Sequence, residues 1–168
     1  MIGPKRKPQE FGFSANDFHL IVNDVSETVK AYSYDGKLLW ELPCLARGQY
    51  GENEWRWAQS DTPPGLYLLG DVYRDLENAD SVPAHVKKSY GWITFDMGDL
   101  EGNEDGNNRA GICLHGGGSA CGWPGAWEPY QTLYPTYGCV RMHNADLTNS
   151  VLPLYEKGRV FLSVYQES

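Results

Sequence analysis

The segment YPTYGCVRMHNAD, residues 134–146, sets Cys139 between a glycine and a valine–arginine pair. It follows a long loop that opens with CLHGGG, residues 113–118. Just after the cysteine, Asn144 can cap a helix over ADLTNSVLPLYEKG that Gly158 can end, since asparagine and glycine favour these two positions. A thiol near a helix N-terminus and a histidine has a lowered pKa, so the segment favours a thiolate nucleophile at Cys139.

Three other roles stay open for Cys139 on these residues alone. Enough zinc ligands are present, although their wide gaps match no compact ligand spacing: Cys113, His115, Cys121, Cys139 and His143. A disulfide to Cys113 or Cys121 is a second alternative, because connectivity cannot be deduced from a sequence. A buried inert thiol is the third, since cysteine is often buried. The flanking glycine, arginine and helix favour the nucleophile over all three.

Composition excludes several classes of protein. A chain of 168 residues suits one domain. A net charge of −8 and a pI near 4.9 argue against nucleic-acid binding, which requires clustered Lys and Arg. No apolar run approaches the ~18 residues of a membrane span, and the N-terminus lacks the apolar segment of a secretory signal. We expect no nucleic-acid partner, no membrane span, no metal and no other cofactor.

Alternating apolar residues predict a mostly β fold. FHLIVND predicts a first strand, and TVKAYSYDGKLLWELPC predicts a β-hairpin around the turn at Asp35 and Gly36. Further β-rich runs are LYLLGDVY, GWITFDM, GICLH and RVFLSVY. The helix after Cys139 is the best helical candidate, with Pro153 expected to kink or shorten it. Residues 1–12 are polar and contain proline, so we expect a flexible N-terminal arm before a single domain over residues 13–168.

The loop GGGSACGWPGAWEPYQTLYPT, residues 116–136, concentrates aromatic side chains on a glycine-rich frame. Trp123, Trp127, Tyr130 and Tyr134 show little periodicity, which makes them hard to assign to a core. A lid or ligand wall is therefore about as well supported as plain packing.

Together these pieces resemble the L,D-transpeptidase catalytic domain (YkuD-like), a family that remodels bacterial peptidoglycan. The family pattern is a His-Gly at a strand end, a loop, and then Ser/Thr-His-Gly-Cys-hydrophobic-Arg/Asn. This chain has HGG from His115 and TYGCVR from Thr136, and the turn TPPGLY from Thr62 and the strand WITFDM also match. The resemblance covers most of residues 13–165 and implies an L,D-transpeptidase-like mixed β-sandwich. Two departures are Tyr137, where the family usually has histidine, and an unusually long loop.

The resemblance also implies roles for individual residues. Cys139 would be the nucleophile and His115 the base, oriented by the Gly116 carbonyl. The backbone N–H groups of Gly138 and Cys139 would stabilise an oxyanion. Arg141 would bind a carboxylate, with a structural salt bridge to Asp146 as the alternative. The remaining substrate-binding candidates are Thr136, Tyr137, Trp123 and Trp127.

The implied reaction is acyl transfer on peptidoglycan stem tetrapeptides, with a thioacyl-enzyme intermediate and release of D-alanine. Alternatives within the fold are an L,D-carboxypeptidase and a delivered toxin that targets the cell wall. A peptidoglycan-binding module with weak catalysis is the alternative from another class. Such substrates imply the cell envelope or periplasm, reached by a non-standard route or by a longer form of the chain. The sequence indicates neither the acyl acceptor nor an oligomeric state.

Overall fold

The strands close into a β-barrel. The structure is a computed structural model that describes residues 1–49, 55–57, 59–74, 76–102 and 111–167, without the Glu77 side chain. Within these ranges the strand order around the barrel is β1-β2-β3-β7-β6-β5-β4-β8, with β8 returning to β1. The strands are β1 (Phe18–Asn23), β2 (Thr28–Ser33), β3 (Leu38–Leu45), β4 (Gly65–Arg74), β5 (Ile93–Asp99), β6 (Cys113–His115), β7 (Val140–Met142) and β8 (Val160–Tyr165).

The predicted hairpin is confirmed. β2 and β3 pair antiparallel, and Gly36 in the turn has a φ of 83°, a left-handed value that glycine adopts without strain. Alternate side chains of β1 and β2 point into the barrel, where Leu20, Val29 and Ala31 are fully buried. The period-2 pattern of the sequence therefore fills the barrel core, as it predicts.

The helix expected after Cys139 is also present. It runs as an α-helical turn Asn144–Asp146, a π-helical turn Leu147–Val151 and an α-helix Leu152–Lys157. The helix continues through Pro153, and the wider π turn lies just before this residue, which has no N–H to donate. The expected N-cap at Asn144 is wrong, because Asn144 is the first helical residue and His143 precedes it as the cap. The Asn144 side chain binds neighbouring loops instead of the helix end.

The predictions of mostly β structure and of a helix after Cys139 are thus confirmed. Two elements were not predicted from the sequence, β7 and a short helix, Ala84–Tyr90. No helix in the described part of the chain is long and apolar enough to cross a membrane.

The N-terminal segment contacts the rest of the chain at several points, among them the backbone amides of Lys5 and Arg6, which donate to the Glu101 carboxylate. Ile2 forms an antiparallel bridge with Gln166, and the Arg159 guanidinium donates to the carbonyl oxygen of Phe11 at 3.0 Å. The flexibility and the domain boundary expected around residues 1–12 stay predictions.

Candidate active site

Strand register brings the candidate residues to one outer face of the barrel. β6 pairs parallel with β7, with Leu114 opposite Val140 and His115 opposite Arg141. Leu114 and Val140 are fully buried in the core. Because side chains alternate along a strand, His115 and Arg141 point away from that core. The imidazole and the guanidinium therefore lie side by side on the outer face.

Cys139 lies one residue before β7, and the same register sets it opposite Cys113, the first residue of β6. The Cys113 amide donates to the Cys139 sulfur at 3.4 Å, which brings the two cysteines next to each other. On the other side, β5 places Asp96 opposite Cys113, whose thiol lies 3.4 Å from a carboxylate oxygen. The Asp96 carboxylate, the Cys113 thiol and the Cys139 thiol thus lie in one row across β5, β6 and the start of β7.

These contacts separate the two thiols in acidity. The hydrogen bond from Cys113 is the largest influence that holds the pKa of Cys139 well below its ordinary value, and His115 acts in the same direction against the effect of burial. Conversely, the hydrogen bond to Cys139, burial and the Asp96 carboxylate raise the pKa of Cys113. Cys113 therefore stays a protonated donor while Cys139 becomes the thiolate.

The His115 ring is oriented by its neighbours. Its Nδ1 lies 2.7 Å from the Gly116 carbonyl oxygen, and the ring packs 4.7 Å from the ring of Tyr90. A carbonyl only accepts, so Nδ1 carries the proton in neutral imidazole. This tautomer leaves Nε2 unprotonated, and His115 is one of the groups that lower the pKa of the Cys139 thiol.

A hydrogen-bonded turn fixes the backbone around Cys139. The Thr136 hydroxyl donates to the Cys139 carbonyl at 2.8 Å and accepts the Gly138 amide at 3.0 Å. Gly138 has a φ of 116°, which disfavours any residue with a side chain. The Gly138 amide is thus engaged by Thr136 in this structure, and an oxyanion role for it would require this bond to be exchanged.

Arg141 is a buried cation beside the thiolate. The residue is 3% exposed, and its Nη2 donates to the Ser89 carbonyl at 3.5 Å. Nε and Nη1 have no hydrogen-bond partner among the described residues. Burial lowers the pKa of Arg141 to about 10, so the group stays protonated at neutral pH. The alternative of a salt bridge to Asp146 finds no support among the described ion pairs.

A groove of about 310 Å³ opens over these groups. Its lining includes Cys139, His115, Arg141, Thr136 and the 60% exposed side chain of Tyr137. Six further lining residues were not predicted individually from the sequence: Gln49, His85, Ser89, Tyr90, Ser119 and Pro135.

The two candidate tryptophans lie elsewhere. Trp123 and Trp127 pack edge to face with ring centres 5.3 Å apart, and the described lining of the groove does not include them. The Trp127 carbonyl accepts a hydrogen bond from the indole of Trp92 at 2.8 Å. The structure therefore does not bring these tryptophans together with Cys139, and their substrate role stays a prediction.

A buried amide pair holds the loop that follows His115, and sequence analysis missed its role. The Asn144 side chain accepts the Gly117 amide at 3.0 Å and donates to the carbonyls of Ala126 and Glu128 at 2.9 and 2.8 Å. The Gln131 side chain donates to the Gly117 carbonyl at 3.0 Å and accepts a hydrogen bond from the backbone N–H of Asn144 at 2.9 Å. In the sequence Asn144 has the pattern of a helix cap, which hides this role.

The metal-ligand and inert-thiol roles considered for Cys139 gain no support, and Cys139 forms no disulfide in the described ranges. The four cysteines, all within the described ranges, are free thiols. Among the described residues, no three His, Cys, Asp or Glu side chains are grouped so that they could hold a metal ion. Cys139 is partly exposed to the groove rather than sealed in the core.

Neither a protein-family model nor a curated protein sequence matches the chain. Solved structures do match. Bd1075 from Bdellovibrio bacteriovorus is 16% identical with a TM-score of 0.60, over 92% of this chain and 49% of that one. The helical cell shape determining protein Pgp2 from Campylobacter jejuni is 19% identical with a TM-score of 0.59, over 90% and 48%. L,D-transpeptidase 1 from Mycobacterium tuberculosis is 10% identical with a TM-score of 0.44, over 88% and 61%.

This chain spans about half the length of the first two structures. At such identities the matches show the fold alone. The predicted fold class, mostly β and L,D-transpeptidase-like, is confirmed, with the strands closed into one barrel where a mixed β-sandwich was expected.

Proposed function

We propose that this protein is a cysteine acyltransferase that acts on peptidoglycan stem tetrapeptides through a thioacyl-enzyme intermediate. One observation carries the proposal: Cys139 and His115 line one groove, where His115 lowers the pKa of the thiol and has its own Nδ1 held by the Gly116 carbonyl. A nucleophile, a base and a group that orients the base are the parts that nucleophilic catalysis requires. The fold shared with a cell shape determining protein is consistent with a cell-wall substrate.

In the proposed first step, the proton of the Cys139 thiol passes to Nε2 of His115, and the thiolate attacks the carbonyl of the third residue of the stem peptide. The C–N bond to D-alanine then breaks, and His115 gives the proton to the leaving amine. An amine of a second stem peptide then attacks the thioester carbonyl, the C–S bond breaks, and the proton lost by the amine passes through His115 to the Cys139 sulfur, which restores the thiol. The Gly116 carbonyl stabilises the imidazolium that forms between these proton transfers.

The proposed anchor for the substrate is Arg141. Its Nε and Nη1 lack partners among the described residues and lie in a buried position beside the groove. A guanidinium can bind a carboxylate through two parallel hydrogen bonds, and such bonds strengthen when water is excluded. We therefore assign Arg141 to a carboxylate of the stem peptide, which orients the scissile bond toward Cys139.

The backbone amide of Cys139 is the proposed oxyanion donor. The Gly138 amide can join it only if the substrate exchanges the hydrogen bond to Thr136. Removing one such donor raises the activation free energy of turnover by about 3 kcal/mol in acyl-transfer enzymes. Thr136 and Tyr137 line the same groove and complete the proposed substrate contacts. With wall peptides as substrates, the proposed location is the cell envelope or periplasm.

Intact-mass analysis of the protein after incubation with a stem tetrapeptide or a carbapenem tests the proposal. We expect a covalent thioacyl adduct on Cys139 that is absent from Cys139→Ser, since a hydroxyl has a far higher pKa than a thiol. Cys44→Ala serves as the matched control because this thiol is buried in the core. Absence of any adduct on the folded wild-type protein would favour the peptidoglycan-binding module instead.

The acceptor separates the transpeptidase from its alternative within the fold. Products are analysed by mass spectrometry with and without an added amine acceptor. A transpeptidase gives cross-linked or exchanged peptides with the amine, whereas an L,D-carboxypeptidase releases the tripeptide in either case.

A further inference from the structure

The two thiols on adjacent parallel strands form an unusual pair. Register sets Cys113 opposite Cys139, and the Cys113 amide donates to the Cys139 sulfur at 3.4 Å. Neighbouring strands lie about 4.8 Å apart, which falls within the roughly 4.4–6.8 Å that a disulfide allows between Cα atoms. Cys139 is reached from the groove, whereas Cys113 is buried behind it against Asp96. One thiol is thus open to reagents and the other is held next to it.

We propose that Cys113 and Cys139 form a reversible disulfide when a peroxide enters the groove. In the first step the Cys139 thiolate attacks one oxygen of hydrogen peroxide. The O–O bond breaks, a sulfenic acid forms on Cys139, and the hydroxide released takes a proton from solvent to become water. In the second step the Cys113 sulfur attacks the Cys139 sulfur, and the S–O bond breaks.

The leaving hydroxide and the Cys113 proton combine as a second water, with the Asp96 carboxylate, 3.4 Å from the Cys113 sulfur, relaying the proton. The two sulfurs together lose two electrons, and the peroxide gains them. The inference that the disulfide between Cys113 and Cys139 can form rests on the strand geometry alone. Its consequence rests on the proposed function, because a bridged Cys139 has no thiolate with which to attack a substrate. Cys113 would protect the nucleophile from irreversible oxidation to sulfinic acid.

The test is oxidation of the reduced full chain with a small excess of hydrogen peroxide, quenching with N-ethylmaleimide, and peptide mapping without reductant. We expect the intact mass to fall by about 2 Da, with Cys113 and Cys139 in one cross-linked peptide that dithiothreitol separates. Cys113→Ser keeps a side chain of similar size, and it should form no cross-link and accumulate at least about tenfold more sulfinic acid at Cys139 than wild type. Cys121→Ser should cross-link as wild type does.

Three outcomes would overturn the inference: a bridge from Cys139 to Cys121, a wild-type protein whose Cys139 reaches sulfinic acid as readily as that of Cys113→Ser, or a wild-type protein that forms no bridge. The bridge is read by mass and needs no turnover. Carbapenem acylation is measured in parallel on the reduced protein. If the reduced protein forms no adduct, the proposed function fails while the mapping still decides the disulfide.

Discussion

At the scale of single residues, the reactivity of Cys139 depends on two neighbours with different duties. Cys113 supplies the largest of the interactions that favour the thiolate, whereas His115 both stabilises the thiolate and can carry a proton. A hydrogen-bond donor of fixed protonation changes only acidity, but a base changes the reaction itself. Substituting each neighbour should therefore produce a different kinetic signature.

Replacing Cys113 with alanine should move the reactivity of Cys139 to higher pH. Loss of the hydrogen bond removes the main influence that lowers the pKa of Cys139, so a smaller fraction is thiolate at neutral pH. A hydrogen bond to a charged group contributes about 1.5–3 kcal/mol, so alkylation near neutral pH should slow by about tenfold or more. The measurement is the rate of Cys139 alkylation by iodoacetamide against pH, with Cys121→Ala as the control. Superimposable pH profiles for wild type and Cys113→Ala would show that Cys113 does not tune the thiol.

His115→Ala should nearly eliminate acylation, whereas Tyr137→Phe should lower it only moderately. The imidazole lines the groove with the thiol and lowers its pKa, while Tyr137 is 60% exposed at the groove. One neutral hydrogen bond from the tyrosine hydroxyl would contribute about 1 kcal/mol. Acylation rates with a carbapenem check this, and Tyr137→His should be tolerated. Equal losses in Tyr137→Phe and His115→Ala would place the tyrosine in the proton-transfer chain.

At the scale of secondary structure, the long strands could be read from the sequence and the short ones could not. β1, β2 and β4 contain enough alternating apolar residues to show a period of two. β7 has three residues, all buried, and lies inside the cysteine motif, so no periodicity marks it. The helix Ala84–Tyr90 has no fully buried residue and therefore no strong apolar stripe.

The candidate site also has a part that the sequence predicts and a part that it does not. Cys139, His115 and Arg141 could be predicted because local motifs surround them. The contact between Cys113 and Cys139 depends on the register of two parallel strands whose paired residues lie 26 positions apart in the chain. Loop closure over that distance has no local sequence signature, so only the structure shows that these two thiols meet.

The Asn144 side chain helps to hold the loop that follows β6. Asn144→Ala should lower the free energy of unfolding by about 2–4 kcal/mol, because it leaves buried backbone groups of several loop residues without partners. Asn149→Ala is the matched control, since Asn149 is exposed on the same helix. Urea denaturation followed by tryptophan fluorescence measures both variants. Losses of similar size at the two positions would contradict a special role for Asn144.

At the scale of the whole molecule, two ionisable groups make the free energy of unfolding depend on pH in opposite directions. They are the partly buried His19 on β1 and the buried Asp24 just after it. Burial lowers the pKa of His19 to about 4, so its contribution to stability is present above its ordinary pKa of 6.5 and is lost as pH falls through about 4. Asp24, 3% exposed, behaves in the reverse way, since burial and then the nearby Asp61 raise its pKa to about 6, while Arg47 acts in the other direction. The two contributions oppose each other between about pH 4 and pH 6.

A comparison of wild type with Asp24→Asn isolates the Asp24 contribution, because His19 is present in both proteins and cancels in the difference. Since the folded-state pKa of Asp24 lies above its ordinary value of 3.8, the stability it contributes is fully present below about 3.8 and is lost as pH rises through about 6. Asparagine does not titrate, so the variant should gain stability relative to wild type as pH rises. Allowing for solvent screening, the gain should reach about 1–2 kcal/mol near pH 8. Urea unfolding of both proteins between about pH 4.5 and pH 8 measures it, and a difference in unfolding free energy that stays constant over that range would show that Asp24 does not carry a raised pKa in the folded protein.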